Sequence, residues 1–201
     1  MEEIECVTQL TTVYLIGQPG SGKTTLAKAF LAQYELLQTF TKPVKHEIYG
    51  GDGGGGNEQH VQVLSLGIQN DRVFGGTDTL PYNAIVKVLE WLPSVNGDDT
   101  LVFAEGDRLA CKRFFDEVQT FGKLLIVWVN TPDDVASQRR SDRAEQEKKK
   151  LQNASWIAGR VTKAKNLVDA YEHVAINGTL PTEEQLKLLN EAILRVSCVK
   201  S

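Results

Sequence analysis

Val13-Tyr14-Leu15-Ile16-Gly17-Gln18-Pro19-Gly20-Ser21-Gly22-Lys23-Thr24-Thr25-Leu26-Ala27 is an apolar run that breaks into a glycine-rich turn and resumes as an amphipathic stretch. Gly17 to Thr24 match G-x-x-x-x-G-K-[ST] in the strand-then-helix setting that gives the pattern its mechanism. The glycines let successive main-chain N–H groups turn inward around phosphate oxygens, and the start of the helix adds partial positive charge. Lys23 then reaches the β- and γ-phosphates, and the Thr24 hydroxyl is placed to ligate Mg²⁺. Gly17, Gln18, Pro19, Gly20, Ser21, Gly22, Lys23, Thr24 and Thr25 are the expected ATP-binding residues, with Lys23 also catalytic and Thr24 the metal ligand.

Outward from this turn, short apolar runs alternate with helical stretches, the pattern of a parallel sheet covered by helices. Strands are expected at Thr12–Ile16, Lys45–Tyr49, Val61–Leu66, Leu101–Ala104, Leu124–Val129 and Val174–Ile176, with the first helix running from Thr24 to Leu37. Thr131-Pro132-Asp133-Asp134 reads as a capped helix start and Thr182-Glu183-Glu184-Gln185 as a capping box. The glycine patch Gly50 to Gly56 is expected to be neither helix nor central strand. With 201 residues, 41% of them hydrophobic, one compact α/β domain over 1–201 is the expectation.

Leu101-Val102-Phe103-Ala104 runs into Glu105-Gly106-Asp107-Arg108, placing two carboxylates where an open parallel sheet holds its ligands. An acid here orients Mg²⁺ or its water, or accepts the proton of an attacking hydroxyl. Glu105 and Asp107 are both candidates, strand phase favouring Glu105 for the first role, while Arg108 either clamps a phosphate or pairs with Asp107. Arg139 and Arg143, on one helix face at i, i+4, are candidate cations for the phosphoryl oxygens. Arg160 and Lys163 are spaced to complete a lid over about 138–165, the alternative being a solvated basic helix.

Charge and composition narrow the classes. Gln138 to Lys165 carries nine basic and three acidic residues in a chain whose net charge is −4, so an anion is expected to meet that segment. No apolar run is long enough to span a membrane and the N-terminus lacks a basic export start, so a cytoplasmic protein is expected, in a host's cytoplasm if viral. Cys6, Cys111 and Cys198 are too scattered for a disulfide framework, and they and the three histidines form no metal spacing. A GTP-operated switch would carry N-K-x-D where Val129-Asn130-Thr131-Pro132 stands, and a mechanical ATPase would carry adjacent acids where Gly106 separates Glu105 from Asp107. A small ATP-dependent kinase is the leading expectation, and an ATPase switch or adaptor the alternative from another class.

On the cradle, the acid-bearing strand and the arginine segment, the chain resembles the thymidylate-kinase-like and adenylate-kinase-like kinases over most of its length. The resemblance implies a five-stranded parallel sheet in order 2-3-1-4-5 with a small lid. It also makes Asp107-Arg108 similar to the acid–arginine pair at the substrate end, with Leu109 where that family commonly has tyrosine. Asn177, in Asn177-Gly178-Thr179, would support the adenine ring, the alternative being a plain Asn-Gly turn.

Arg72-Val73-Phe74-Gly75-Gly76-Thr77-Asp78-Thr79-Leu80 and Ala104-Glu105-Gly106-Asp107-Arg108-Leu109 resemble phage 5-hydroxymethyl-deoxyuridine DNA kinases. That resemblance implies a nucleotide-type acceptor, in its most specific form 5-hydroxymethyluracil within DNA, with a free nucleotide or nucleoside as the rival. Asp52, Arg72, Thr77 and Asp78 would then line the acceptor site, Asp78 being a further candidate base or, alternatively, the cap of the helix through Ile85, Val88, Leu89 and Leu92. Trp156, Tyr49 and Tyr82 are the candidate stacking groups, with core positions as the alternative.

Overall fold

The computed structural model describes residues 10–51, 62–69, 75–95, 100–148, 150 and 152–198. Thirteen elements follow in chain order: β1 (Leu10–Ile16), α1 (Lys23–Leu31), β2 (Glu35–Phe40), β3 (His46–Gly50), β4 (Gln62–Leu66), α2 (Ala84–Trp91), β5 (Thr100–Glu105), α3 (Lys112–Phe121), β6 (Gly122–Asn130), α4 (Asp133–Gln146), α5 (Ala154–Ala170), β7 (His173–Asn177) and α6 (Thr182–Cys198). Among the described residues two 3₁₀ turns flank α2, Gly76–Thr79 before it and Leu92–Ser94 after it.

One sheet runs β2-β3-β4-β5-β1-β6-β7. Strands β4, β5, β1, β6 and β7 are mutually parallel, so the parallel part has the expected order 2-3-1-4-5. The sheet has seven strands rather than five, because β2 and β3 add an antiparallel pair beside β4. The added strand comes from the far half of the helix expected over Thr24 to Leu37. Helix α1 stops at Leu31, the chain turns at Gln33 and Tyr34, and Glu35–Phe40 extends against β3. Leu36 and Leu37 are about half exposed, so their helical spacing does not mark a core face. Gly50 ends β3 opposite Glu35, so the expectation for the glycine patch fails at Gly50; Gly51 is a bend, and the rest of the patch, 52–56, lies outside the described residues.

The central strands are apolar on both faces because both faces are covered. On one side Tyr14, Val102, Ala104 and Ile126 meet Val88 of α2, Phe114, Phe115 and Val118 of α3, and Leu167 and Val168 of α5. On the other, Val13, Leu15, Phe103 and Val127 meet Leu26, Ala27 and Phe30 of α1 and Leu189 and Ala192 of α6. Phe30 stacks on Phe103 with ring centroids 4.6 Å apart, and both are fully buried; truncating such a ring costs about 3–5 kcal/mol. Leu15 of β1 lies opposite Glu105 of β5, so the turn after β1 and the carboxylates after β5 open at one end of the sheet.

Candidate active site

The turn after β1 has the shape its sequence demands. Gly17, Gly20 and Gly22 all have positive φ, at 151°, 84° and 99°. At Gly20 the need for glycine is absolute in space as well as in φ, because a Cβ there would lie 2.4 Å from the carbonyl oxygen of Ala136 in α4. Gly20→Ala is therefore expected to lower unfolding free energy by about 1–3 kcal/mol, as read by urea denaturation.

Helix α4 is bolted to the loop. Arg140 donates to the Pro19 carbonyl at 2.6 Å, Arg139 to the Ser21 carbonyl at 3.4 Å, and Gln18 to Thr131 O at 2.7 Å and to Asp133 Oδ1 at 2.9 Å. The Thr131 hydroxyl also donates to Ser21 O, at 2.9 Å, so it braces the loop instead of capping α4, whose cap position is Pro132. Lys23 folds back over the cradle, donating to Gly17 O and Gln18 O at 2.9 Å each and to the Ser21 hydroxyl at 3.4 Å. Withdrawal from water lowers the Lys23 pKa, with the Glu105 carboxylate acting in the opposite direction.

Glu105 is 2% exposed and faces Thr24, whose hydroxyl donates to its two oxygens at 3.3 and 3.4 Å. Burial pushes its carboxyl up to about 7; Lys23 pulls it down, Asp78 raises it and the Thr24 hydrogen bond lowers it. Asp78 does not cap α2, which begins at Ala84 after Asn83. Its Oδ1 accepts the main-chain N–H groups of Asp107 and Arg108 at 2.9 and 3.2 Å, which fixes the turn after β5. Asp107 is held from α5, by Arg160 and by Lys163, whose ammonium lies 2.9 Å from Oδ1. Thr77 is buried and shares a 3.3 Å contact with the Tyr14 hydroxyl, which itself donates to Gly106 O at 3.0 Å. Burial raises the Tyr14 pKa well above its ordinary value, so the phenol stays protonated and keeps this brace.

These groups meet in one cavity of about 620 Å³. Gly17, Pro19, Gly20, Gly22, Lys23, Thr24 and Thr25 line one part, Glu105, Asp107, Asp78 and Arg108 another, and Arg139, Arg143, Arg160 and Lys163 a third. Gln18, Ser21 and Thr77 support that lining from behind, through the bonds above. Asn177 stands apart: its side chain accepts from Thr179 N at 3.0 Å and from the Thr179 hydroxyl at 2.8 Å, the plain turn reading. A second, smaller cavity of about 250 Å³ is lined by Thr25, Arg139, Leu180, Thr182 and Gln185 among others, and not by Asn177. Asp52 and Arg72 lie outside the described residues. Tyr49 is buried and donates to Glu47 at 2.9 Å, which removes it from the stacking candidates.

Sequence reasoning passed over Tyr14, hidden as one more apolar strand residue, and Gln152, which lines the cavity and follows no motif. The site's donors are hard oxygens, and no cluster of three or more metal-ligating side chains occurs among the described residues. A buried carboxylate beside a threonine hydroxyl suits Mg²⁺, which takes one or two protein oxygens and completes its shell with phosphate and water.

Residues 8–186 match the family described as P-loop Nucleotide Kinase3. The chain belongs to that family. It is an ATP-dependent kinase, a phosphotransferase. No protein of curated function matches the chain. Among solved structures, this kinase is similar in fold to a sugar kinase from Janibacter sp., 14% identical with a TM-score of 0.52, over 96% of this chain and 99% of that one. It is also similar to a gluconokinase from Sinorhizobium meliloti, 13% identical with a TM-score of 0.53, over 93% of each chain. At such identities the likeness concerns the fold. No helix among the described residues is long and apolar enough to cross a membrane.

Proposed function

We propose that this kinase moves the γ-phosphoryl group of ATP to a hydroxyl on a nucleotide-type acceptor, most specifically the hydroxymethyl group of 5-hydroxymethyluracil within DNA. The observation that carries the reading is the one cavity that joins the phosphate cradle with its Lys23, three carboxylates and five further cations. The motif stretches around Asp78 and Glu105–Leu109 support the acceptor class.

The carboxylates divide the work by their surroundings. Thr24 and Glu105 would hold Mg²⁺, which supplies charge neutralisation at the β- and γ-phosphate oxygens. Asp107 is already engaged by two cations, so its part is to hold α5. Asp78, fixed through Oδ1 by two main-chain amides, is the base. The acceptor O–H proton passes to Asp78, the acceptor oxygen bonds to Pγ, the bond from Pγ to the bridging oxygen breaks, and ADP leaves. Lys23, Arg139 and Arg143 neutralise charge on the phosphoryl oxygens. The adenine rests in the smaller cavity beside Thr25 and Leu180. The stretch 138–165 acts as the lid of one domain spanning 1–201.

Incubation with γ-labelled ATP and Mg²⁺ tests this, with free dTMP, free nucleosides, and DNA carrying thymine or 5-hydroxymethyluracil offered in parallel. Label is expected in the modified DNA. Label in a free nucleoside or nucleotide alone would replace the acceptor, and phosphate release with no labelled acceptor would favour the switch. Arg143→Ala is expected to lower turnover about 100-fold while changing ATP affinity little. Equal losses in both would reduce Arg143 to ground-state binding.

A further inference from the structure

Tyr82 is 91% exposed and Trp156 40% exposed, an unusual state for two large aromatic rings that line one cavity with the phosphate cradle. Each carries a guanidinium on its face. Arg108 Cζ lies 3.7 Å from the Tyr82 ring centroid, and Arg160 Cζ lies 5.2 Å from that of Trp156. Tyr82 follows the 3₁₀ turn that holds Asp78, and Trp156 sits in the first turn of α5, so the two pairs come from different elements. A lone exposed aromatic residue requires no explanation. Two cation-backed rings converging on one cavity do.

Two buried polar atoms in the same lining also lack partners: Arg108 Nε and Gln152 Oε1. Buried polar atoms are nearly always hydrogen-bonded, so this pair marks a place where a ligand completes the network. Arg108 Nε can only donate, whereas the Gln152 amide offers an acceptor and, on rotation, a donor. A ligand that satisfies both therefore presents a carbonyl-type acceptor and an N–H on its edge. Aromatic and guanidinium faces meanwhile select a flat π-system over a puckered, hydroxyl-studded one.

We propose that Tyr82–Arg108 and Trp156–Arg160 form a stacking subsite for a planar heteroaromatic ring, a nucleobase of the oxo/imide kind, whose edge is met by Gln152 and Arg108. This rests on the reading of the cavity as the acceptor site. The subsite takes its ring from a free nucleoside or from a base within a DNA strand, since stacking is indifferent to what lies beyond the sugar. Arg143 and Lys163 in the same lining are the groups available to a flanking phosphate.

Calorimetric titration of the purified chain, without ATP, separates these sources and tests the subsite independently of phosphoryl transfer. The probes are 5-hydroxymethyl-2′-deoxyuridine, a single-stranded oligodeoxynucleotide carrying one such residue, and gluconate. A base-bearing probe is expected to bind, with Tyr82→Leu and Trp156→Leu each weakening it about tenfold or more. Tyr82→Phe and Trp156→Phe are expected to stay within about twofold of the parent, which separates stacking from damage to the fold. Equal affinity for nucleoside and oligonucleotide assigns the free nucleoside as the source, and preference for the oligonucleotide assigns the strand. Leucine variants that bind like the parent, binding of gluconate alone, or binding of neither base-bearing probe would each overturn the proposal. A leucine effect on binding in a protein that labels no acceptor would leave the subsite standing and remove the transfer reaction.

Discussion

Lys23→Ala will abolish phosphoryl transfer, lowering turnover by about 1,000-fold or more while leaving the fold intact. In the structure the Lys23 ammonium is satisfied by Gly17 O, Gln18 O and Ser21 Oγ, all within its own loop. A triphosphate replaces those neutral acceptors with anionic oxygens, and the attraction grows further as charge shifts during transfer. Nothing else in the loop carries a full positive charge, so alanine leaves the β–γ bridge without its neutraliser. The measurement is single-turnover transfer of labelled phosphate, with circular dichroism and urea unfolding as controls. Near-normal turnover in a folded variant would contradict the assignment of the cradle.

Glu105→Gln is expected to lower turnover about 100- to 1,000-fold, since glutamine keeps the shape but removes the anion facing Thr24. The same substitution has a signature in stability that needs no substrate. Burial raises the Glu105 carboxyl from an ordinary value near 4.5 to about 7. Between those values the folded chain holds a proton that the unfolded chain has released, so stability falls as pH rises. The contribution is whole below about 4.5, is lost on the way to about 7, and changes no further above that. With 1.36 kcal/mol for each unit, the loss between pH 5 and pH 8 is on the order of 2 kcal/mol. In EDTA and without nucleotide, the parent is therefore expected to be less stable at pH 8 than at pH 5 by that extra amount relative to Glu105→Gln. Identical pH dependence in the two proteins would show that Glu105 is ionised in the folded state throughout.

The reach of the sequence followed the range of the interactions involved. The cradle was readable because a fixed spacing of Gly, Lys and Thr between a strand and a helix has one physical use, and the parallel strands because burial on both faces leaves uninterrupted apolar runs. The hairpin β2–β3 escaped because Leu26, Phe30 and Leu37 share helical spacing whether or not the chain turns at Gln33, and the antiparallel partner of β2 is supplied from beyond Phe40. The cap expected at Thr131, and the cap that was the alternative reading of Asp78, failed in the same way. Each has the composition and position of a local cap, but each found a distant backbone partner, Asp107 and Arg108 for one and Ser21 for the other. Arg139 and Arg143 do reach the cavity together, as their i, i+4 spacing suggested, whereas Arg140 between them turns to Pro19. Tyr82 and Trp156 were visible as aromatic residues, but their common cavity depends on how α5 lies beside the end of β5, which no local pattern encodes.

The ties between α4 and the loop have a mechanical consequence. Four side chains from the helix and its approach, Thr131, Asp133, Arg139 and Arg140, bind Pro19, Ser21 and Gln18, and the Ala136 carbonyl blocks any side chain at position 20. A rod clamped at its base cannot pivot there. In the proposed lid reading, any bend would then fall farther along, beyond Arg143, where Lys148 adopts a left-handed φ of 51° and α4 gives way to α5. Arg139, at the inner edge of the proposed lid stretch, is thus tied to the loop, while Arg160 and Lys163 are moored to Asp107 after β5.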